Sequence, residues 1–262
     1  MSALAGRVVW ITGASGGIGA ATAQELARRG ARVVVTARRE EELEEVAAAV
    51  AGITPRAGDV TDAGGMRALV QGIVASHGGV DVALLNAGTY SPVLPEAFTP
   101  DAVRPQVEVN IMGTVNCIAA VLPHMRARRA GRIAVVASVT GFAALPMASA
   151  YGASKAFLIS MADSLRADLA GERSGVQVTV VAPGFVETPL TDHNDFPMPF
   201  LIPVDEAARA IADGLEAGDA EIAFPRRMSL LMKTLGRWLP GPLRRAQVAR
   251  IARRRHRDRA RG

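Results

Sequence analysis

The sequence predicts a doubly wound α/β domain, a parallel sheet of seven strands with helices on both faces, and three observations lead to it. Apolar runs of strand length alternate with helix-length amphipathic segments along most of the chain, the pattern of βαβ units. The 262 residues suffice for one large α/β domain and not for two plus a linker. Hydrophobic residues make up 49% of the chain and aromatics only 4%, so the core is built from Ala, Val, Leu and Ile, which suits a sheet between closely packed helices. The same composition excludes a disordered or fibrous chain.

In order, strands are expected near 7–12, 32–36, 53–58, 80–86, 131–138, 175–182 and 219–224, and helices near 17–29, 40–51, 62–77, 101–129, 151–171 and 204–217. Gly30, Gly78-Gly79, Gly131 and Gly175 each precede a strand, where helices tend to end. In such a sheet ligands sit at the carboxyl ends of the strands. Residues 187–203 break the rhythm. With Pro189, Pro197, Pro199 and Pro203 among Leu190, Phe196, Met198 and Phe200, they read as a mobile apolar excursion over a pocket.

Charge divides the chain. From Arg226 onward thirteen Lys or Arg face Asp258 alone, a net of +12, which leaves −7 on residues 1–225. The expected organisation is one α/β domain over 1–225 and a basic amphipathic extension over 226–262. One cysteine, Cys117, excludes an internal disulfide framework and a Cys-based zinc site, and no metal is expected. The first strand pattern starts at Arg7, which points away from a secretory signal and towards the cytoplasm. The uncharged stretch from Ile133 to Ser154 contains Gly141, Pro146 and Gly152 and reads as a buried strand and loop rather than a membrane span.

The first strand runs into Thr12-Gly-Ala-Ser-Gly-Gly-Ile-Gly19, followed by an Ala-rich helix. Glycines at 13, 17 and 19 permit a tight turn, close approach to a pyrophosphate and close helix packing, while the helix N-terminus offers N–H donors to phosphate. The turn residues Gly13, Ser15, Gly16, Gly17, Ile18 and Gly19 are therefore candidate cofactor ligands. Roughly 20 residues further on, the end of the second strand selects the ribose: an acid accepts from a 2′-hydroxyl, a base pairs with a 2′-phosphate. Here the chain reads Val35-Thr36-Ala37-Arg38-Arg39 without an acid, which favours NADP(H) over NAD, with Arg38 as the contact. Asp59-Val60, closing the third strand, either holds the adenine amino group or caps the next helix.

Tyr151-Gly-Ala-Ser-Lys155 places Tyr151 and Lys155 on one helical face. A tyrosine pKa of about 10 is high for proton exchange at neutral pH, so an adjacent ammonium is useful chemistry. Lysine occurs only at 155 and 233, against 28 arginines, so its presence here stands out. Ser138 ends the fifth strand, where its hydroxyl can hold a substrate oxygen beside Tyr151. Asn110, a poor helix former among Val107, Val109 and Ile111, needs buried partners and is suited to anchoring a water.

Over about residues 4–225 the chain resembles the short-chain dehydrogenase/reductase family, a Rossmann-type fold. The resemblance rests on Thr12-Gly-x-x-x-Gly-x-Gly19, Asn86-Ala-Gly88, Asn110, Ser138, Tyr151-x-x-x-Lys155 and Pro183-Gly-x-x-x-Thr188. It implies that Tyr151 exchanges the proton, Lys155 binds the nicotinamide ribose and lowers the tyrosine pKa, Ser138 orients the carbonyl and Asn110 supports a relay through water. It also implies that Asn86, Ala87 and Gly88 line the adenosine-ribose side, that Pro183, Gly184, Val186 and Thr188 hold the nicotinamide end, and that the protein is a homo-oligomer. Leu85 departs from the pattern, standing where the family often has another asparagine.

After Ser138 the run to Met147 is apolar and carries no cationic clamp, so the expected substrate is a hydrophobic ketone or alcohol, with reduction of the ketone by NADPH as the expected direction. A non-catalytic NADP sensor and an isomerase or dehydratase remain alternatives. From Met228 to Leu239 the apolar residues Leu231, Met232, Leu235, Trp238 and Leu239 gather on one helical side, away from Lys233 and Arg237, and Pro240-Gly-Pro242 breaks the pattern. This fits an interfacial helix on an anionic membrane surface, or a helix docked on the domain or another subunit. Nucleic acid is not expected, since neither a reading helix nor stacking aromatics accompany the arginines.

Overall fold

The computed structural model describes residues 2–192 and 197–259. The helical runs Gly17–Arg28 (α1), Glu40–Ala49 (α2), Ala63–His77 (α3), Pro100–Gln106 (α4), Gly113–Arg128 (α5), Ser149–Gly171 (α6) and Val204–Ala217 (α7) surround strands Val8–Thr12 (β1), Arg32–Thr36 (β2), Ile53–Pro55 (β3), Val82–Leu85 (β4), Gly131–Val136 (β5), Val176–Pro183 (β6) and Glu221–Phe224 (β7). The strands are all parallel, in the order β3-β2-β1-β4-β5-β6-β7. The order reverses between β1 and β4, the switch point at which such sheets open a ligand crevice.

Both faces of the sheet are covered, so the strands are apolar at successive positions. Val8 and Trp10 pack towards α3, α5 and α6 with Met66, Val121 and Leu158, whereas Val9 and Ile11 pack towards α1, α2 and α7 with Leu26, Leu43 and Ile211. Helix termini carry their own signals. The Asp62 carboxylate accepts from the N–H groups of Gly64 and Gly65 and so caps α3, and Gly78 ends it in the left-handed region at φ 80°.

Three elements differ from the sequence reading. The third strand stops at Pro55 rather than reaching 58. The single helix expected over 101–129 is two helices joined by a wider π-type segment, Val107–Met112. This segment inserts extra backbone around Asn110, and the Thr114 hydroxyl donates to the Asn110 carbonyl at 2.8 Å. Downstream of β7, the chain forms Arg226–Lys233 (α8), a second π-type turn at Thr234–Trp238, and Gly241–Arg259 (α9). Within the apolar face read from the sequence, Met232 and Leu235 pack on the body of the protein together with Met228, while Leu231 and Trp238 point to solvent. Lys233, expected away from the docked side, lies on it: its Nζ stands 5.1 Å from the Phe142 ring centre and pairs with Glu221. A helix wedged between protein and solvent can carry apolar residues on both sides, which a one-face reading does not anticipate. Phe196 and the Arg237 side chain lie outside the described residues.

Candidate active site

A cleft of about 1010 Å³ opens at the carboxyl ends of the strands. It is lined by Gly13, Ser15, Gly16, Gly17 and Ile18 at the α1 turn, by Arg38, Asp59 and Val60 after β2 and β3, and by Asn86, Ala87 and Gly88 after β4. Ser138, Tyr151 and Lys155 line its other end, together with Pro183, Gly184, Val186 and Thr188 after β6. Gly19 and Asn110 stand behind the lining and shape it.

The turn after β1 is fitted from backbone. Gly13 has φ +64°, and a Cβ there would lie 2.6 Å from Ala87 Cα. A Cβ on Gly19 would overlap the Gly13 carbonyl and the Asn86 amide. Asn86 ties the crossing together: its Nδ2 donates to the Thr12 carbonyl at 3.1 Å and the Gly13 carbonyl at 2.9 Å. The Thr12 hydroxyl accepts from the N–H groups of Asn86 and Ala87. Leu85 is a buried β4 residue paired in register with Thr12, so the departure there leaves the turn intact. The α1 N-terminus has Gly16 as its cap, no side-chain cap bond and no acid in its first turn. Its N–H groups and positive dipole end thus face the cleft uncompensated.

At the β2 end Arg38 and Arg39 are both exposed and both line the cleft, and Arg39 is engaged there, donating to Glu42 at 2.6 Å. Asp59 accepts from the Thr61 N–H at 2.9 Å and the Thr61 hydroxyl at 2.8 Å. The backbone bond from Thr61 leads in holding its carboxyl below the usual range, with Arg38 adding to it. Of the two roles open to Asp59, the helix cap belongs to Asp62 instead.

The other end is made of side chains, Ser138 and Lys155 buried and Tyr151 half-buried. Lys155, 3% exposed, donates from Nζ to the Val136 carbonyl of β5 at 2.9 Å and stands 5.6 Å from the Tyr151 ring centre. Burial pulls its pKa down to about 8. Burial pushes the Tyr151 phenol up to about 12, a side-chain hydrogen bond with Ser138 draws it back, and Tyr90 adds a further rise. Lys155 is not among the groups that move the phenol, so the expected lowering of the tyrosine pKa by Lys155 gives way to a rise led by desolvation. Ser138 accepts from the Thr140 N–H at 3.2 Å and its hydroxyl at 3.0 Å, and donates to the Pro183 carbonyl at 3.3 Å.

Asn110, fully buried, spends its amide on structure: Oδ1 accepts from the Thr89 N–H at 2.7 Å, and Nδ2 donates to the Thr89 carbonyl and the Ser154 hydroxyl, each at 3.0 Å. Ser154 in turn donates to the Tyr151 carbonyl at 2.7 Å. Asn110 thus links the loop after β4 to the first turns of α6.

Sequence reasoning gave no site role to Thr12, Ser154, Tyr90 or Met228. Tyr90 meets Tyr151 edge-on at 5.1 Å between ring centres. It is one of only two tyrosines in the chain, the same scarcity that singled out Lys155. Met228 of α8 lines the cleft from a segment set apart by charge alone.

The family model for short chain dehydrogenases matches residues 7–196. This chain belongs to the short-chain dehydrogenase family. It is 38% identical over 255 residues to an uncharacterized oxidoreductase of Myxococcus xanthus, an alignment covering 96% of this chain and 100% of the relative. It is 34% identical over 193 residues to an uncharacterized oxidoreductase of Staphylococcus epidermidis, covering 72% of this chain and 82% of the relative. A third relative, a dehydrogenase/reductase SDR family protein 7-like of Anopheles gambiae, is 36% identical over 199 residues, covering 72% of this chain and 62% of the relative. Family membership makes the chain an oxidoreductase with a nicotinamide dinucleotide cofactor and a small-molecule substrate. Among the described residues there is no group of three or more His, Cys, Asp or Glu able to hold a metal, and no helix long and apolar enough to cross a membrane.

Proposed function

We propose that this chain is an NADP(H)-dependent oxidoreductase that interconverts a carbonyl and a secondary alcohol on a hydrophobic substrate. The observation that carries the reading is that Tyr151, Ser138 and Lys155 share one cleft with the glycine turn. The turn fits a dinucleotide: its close approaches leave room only for backbone, and the uncapped α1 end suits a pyrophosphate. Arg38 supports the NADP form, because of the two arginines that line the cleft after β2 Arg39 is paired with Glu42.

Bound NADP(H) supplies or takes the hydride, and the remaining work falls to the protein. A pKa near 12 keeps the Tyr151 phenol protonated at neutral pH, the state that donates to a carbonyl oxygen and favours reduction. The Ser138 hydroxyl, turning from the Pro183 carbonyl, holds the same oxygen. Lys155, anchored on the Val136 carbonyl with a pKa of about 8, is an ammonium at neutral pH that would hold the ribose hydroxyls and favour the phenolate once the proton has left. Asn110 and Ser154 fix the α6 turn that carries Tyr151. Thr140, Leu145, Pro146, Leu190 and Met228 line the substrate space without a cation, which supports an uncharged, apolar substrate. Exposed Met112 and Phe157, on elements that pack together, support a homo-oligomer.

The test is NADPH consumption by wild type and Tyr151→Phe with a panel of hydrophobic ketones, after fluorescence shows that both bind NADPH. Turnover by wild type alone is the expected result. Equal turnover by the two removes Tyr151 from the chemistry.

A further inference from the structure

The outer side of α8, with the π-type turn after it and the start of α9, has no part in the oxidoreductase reading. Trp238 is 80% exposed, Leu230 69%, Leu243 58% and Leu231 54%, four of the five most exposed large apolar side chains among the described residues, and all fall within fourteen positions. Exposed arginines flank them, Arg226 and Arg227 before and Arg244 and Arg245 after. On α8 the side opposite Leu230 and Leu231 is buried: Met228, Ser229 and Met232 are at most 5% exposed. The helix is therefore clamped to the protein on one side and offers an apolar strip with a basic border on the other.

Charge decides what covers that strip. A second copy placed face to face would set arginine against arginine, in segments that each carry a net of +12. A nucleic acid would satisfy the arginines and leave Leu230, Leu231 and Trp238 in water. An anionic bilayer matches both, burying the leucines and seating the indole at headgroup level while lipid phosphates meet the guanidinium groups. No described helix can span the bilayer, so the contact lies in its surface.

The inner side of α8 gives this contact a purpose. Met228 lines the substrate space, Lys233 bridges Glu221 and the Phe142 ring, and Gly236 packs so closely on the Phe142 carbonyl and Ala143 that no side chain fits there. The helix is thus locked to the loop that continues to Leu145 and Pro146 in the same cleft lining. Lipid and substrate space are separated by the thickness of one helix.

We propose that the chain docks on an anionic lipid surface through the outer face of α8 and the start of α9, and that its substrate is a bilayer-dissolved carbonyl or alcohol that enters past Met228. The substrate half rests on the oxidoreductase reading, and the docking half does not.

The full chain is mixed with phosphatidylglycerol-containing vesicles and with pure phosphatidylcholine vesicles, and binding is read by flotation and tryptophan emission. Trp10 is fully buried, so a blue shift reports Trp238. Expected are flotation and a blue shift with the anionic vesicles, weakened by salt, and about tenfold or greater loss of flotation in the Leu230→Ser/Trp238→Ser variant. No flotation of wild type, or equal flotation of the variant, overturns docking. So does a concentration-dependent dimer in sedimentation that the variant abolishes without any vesicle binding, because a second copy is then the occupant. For delivery, the variant should keep wild-type kcat and KM with water-dissolved cyclohexanone and show a severalfold higher KM for a vesicle-borne long-chain methyl ketone. An unchanged KM for the vesicle-borne ketone overturns delivery. If wild type turns over neither ketone, the oxidoreductase reading and delivery fall together, while flotation still decides docking.

Discussion

The two ends of the cleft are built from different materials. At the α1 end the surface is main chain: glycines pressed against Ala87 and Asn86, and carbonyls tied by a single asparagine amide. At the α6 end it is side chain, an amine and a phenol whose pKa values burial has moved in opposite directions, to about 8 and about 12. The first end works by shape, and the second by keeping titratable groups out of water. Damage at the first should therefore weaken the grip on the dinucleotide, and damage at the second should stop chemistry or change the pH dependence of folding.

The contrast breaks most visibly at Tyr151. In Tyr151→Phe, turnover should drop about 10²–10⁴-fold while NADPH titration by fluorescence is unchanged. A parallel loss of cofactor affinity would show that the two ends are not separable. The next largest effect concerns Lys155. Its folded pKa of about 8 lies below the ordinary 10.5, so between those values the unfolded chain binds more protons and stability rises with pH. In Lys155→Met that rise should vanish, with a gain approaching about 3 kcal/mol below pH 8, reduced by the lost bond to Val136. Urea unfolding at pH 7 and at pH 10 measures both; equal slopes in the two proteins would remove the buried-ammonium account.

At the other end, Asn86→Ala should cost about 2 kcal/mol of stability and weaken NADPH and NADH binding alike, since it withdraws two donors from the turn and leaves Arg38, the proposed 2′-phosphate contact, in place. Calorimetry that found selective loss of one dinucleotide would contradict that. The smallest effect sharpens the picture within the shape-built end. Arg38→Ser should raise the Kd for NADPH about tenfold and leave NADH unaffected, as expected of a charge-assisted bond to a 2′-phosphate. A uniform change would point to a general electrostatic role.

The difference between the ends also explains what sequence could disclose. The shape-built end is local, since strand, turn and helix are contiguous from Val8 to Arg28, and its requirements appear as glycines at fixed spacing. Tyr151 and Lys155 are legible for the same reason, one helical turn apart. What binds them to the rest is not local. Asn110 reaches Ser154 across 44 positions, and Thr12 meets Asn86 across 74, with nothing in either segment to name its partner. The π-type segment at Val107–Met112 was invisible because apolar periodicity reports which faces are buried and not how many residues close a turn. Charge divided the chain at 226, yet Met228 and Met232 join the core, because composition registers solvent-facing arginines more strongly than two buried methionines.

The scarcity of lysine has a practical side. A lysine-specific protease has two target bonds in this chain, after Lys155 and after Lys233. The first is sealed inside α6, and the second lies on a helix held to β7 and to Phe142 through the lysine itself. Cleavage of the native protein should begin after Lys233 and only when α8 lifts, so the appearance of a fragment ending there is a clock for the opening of that wall of the cleft.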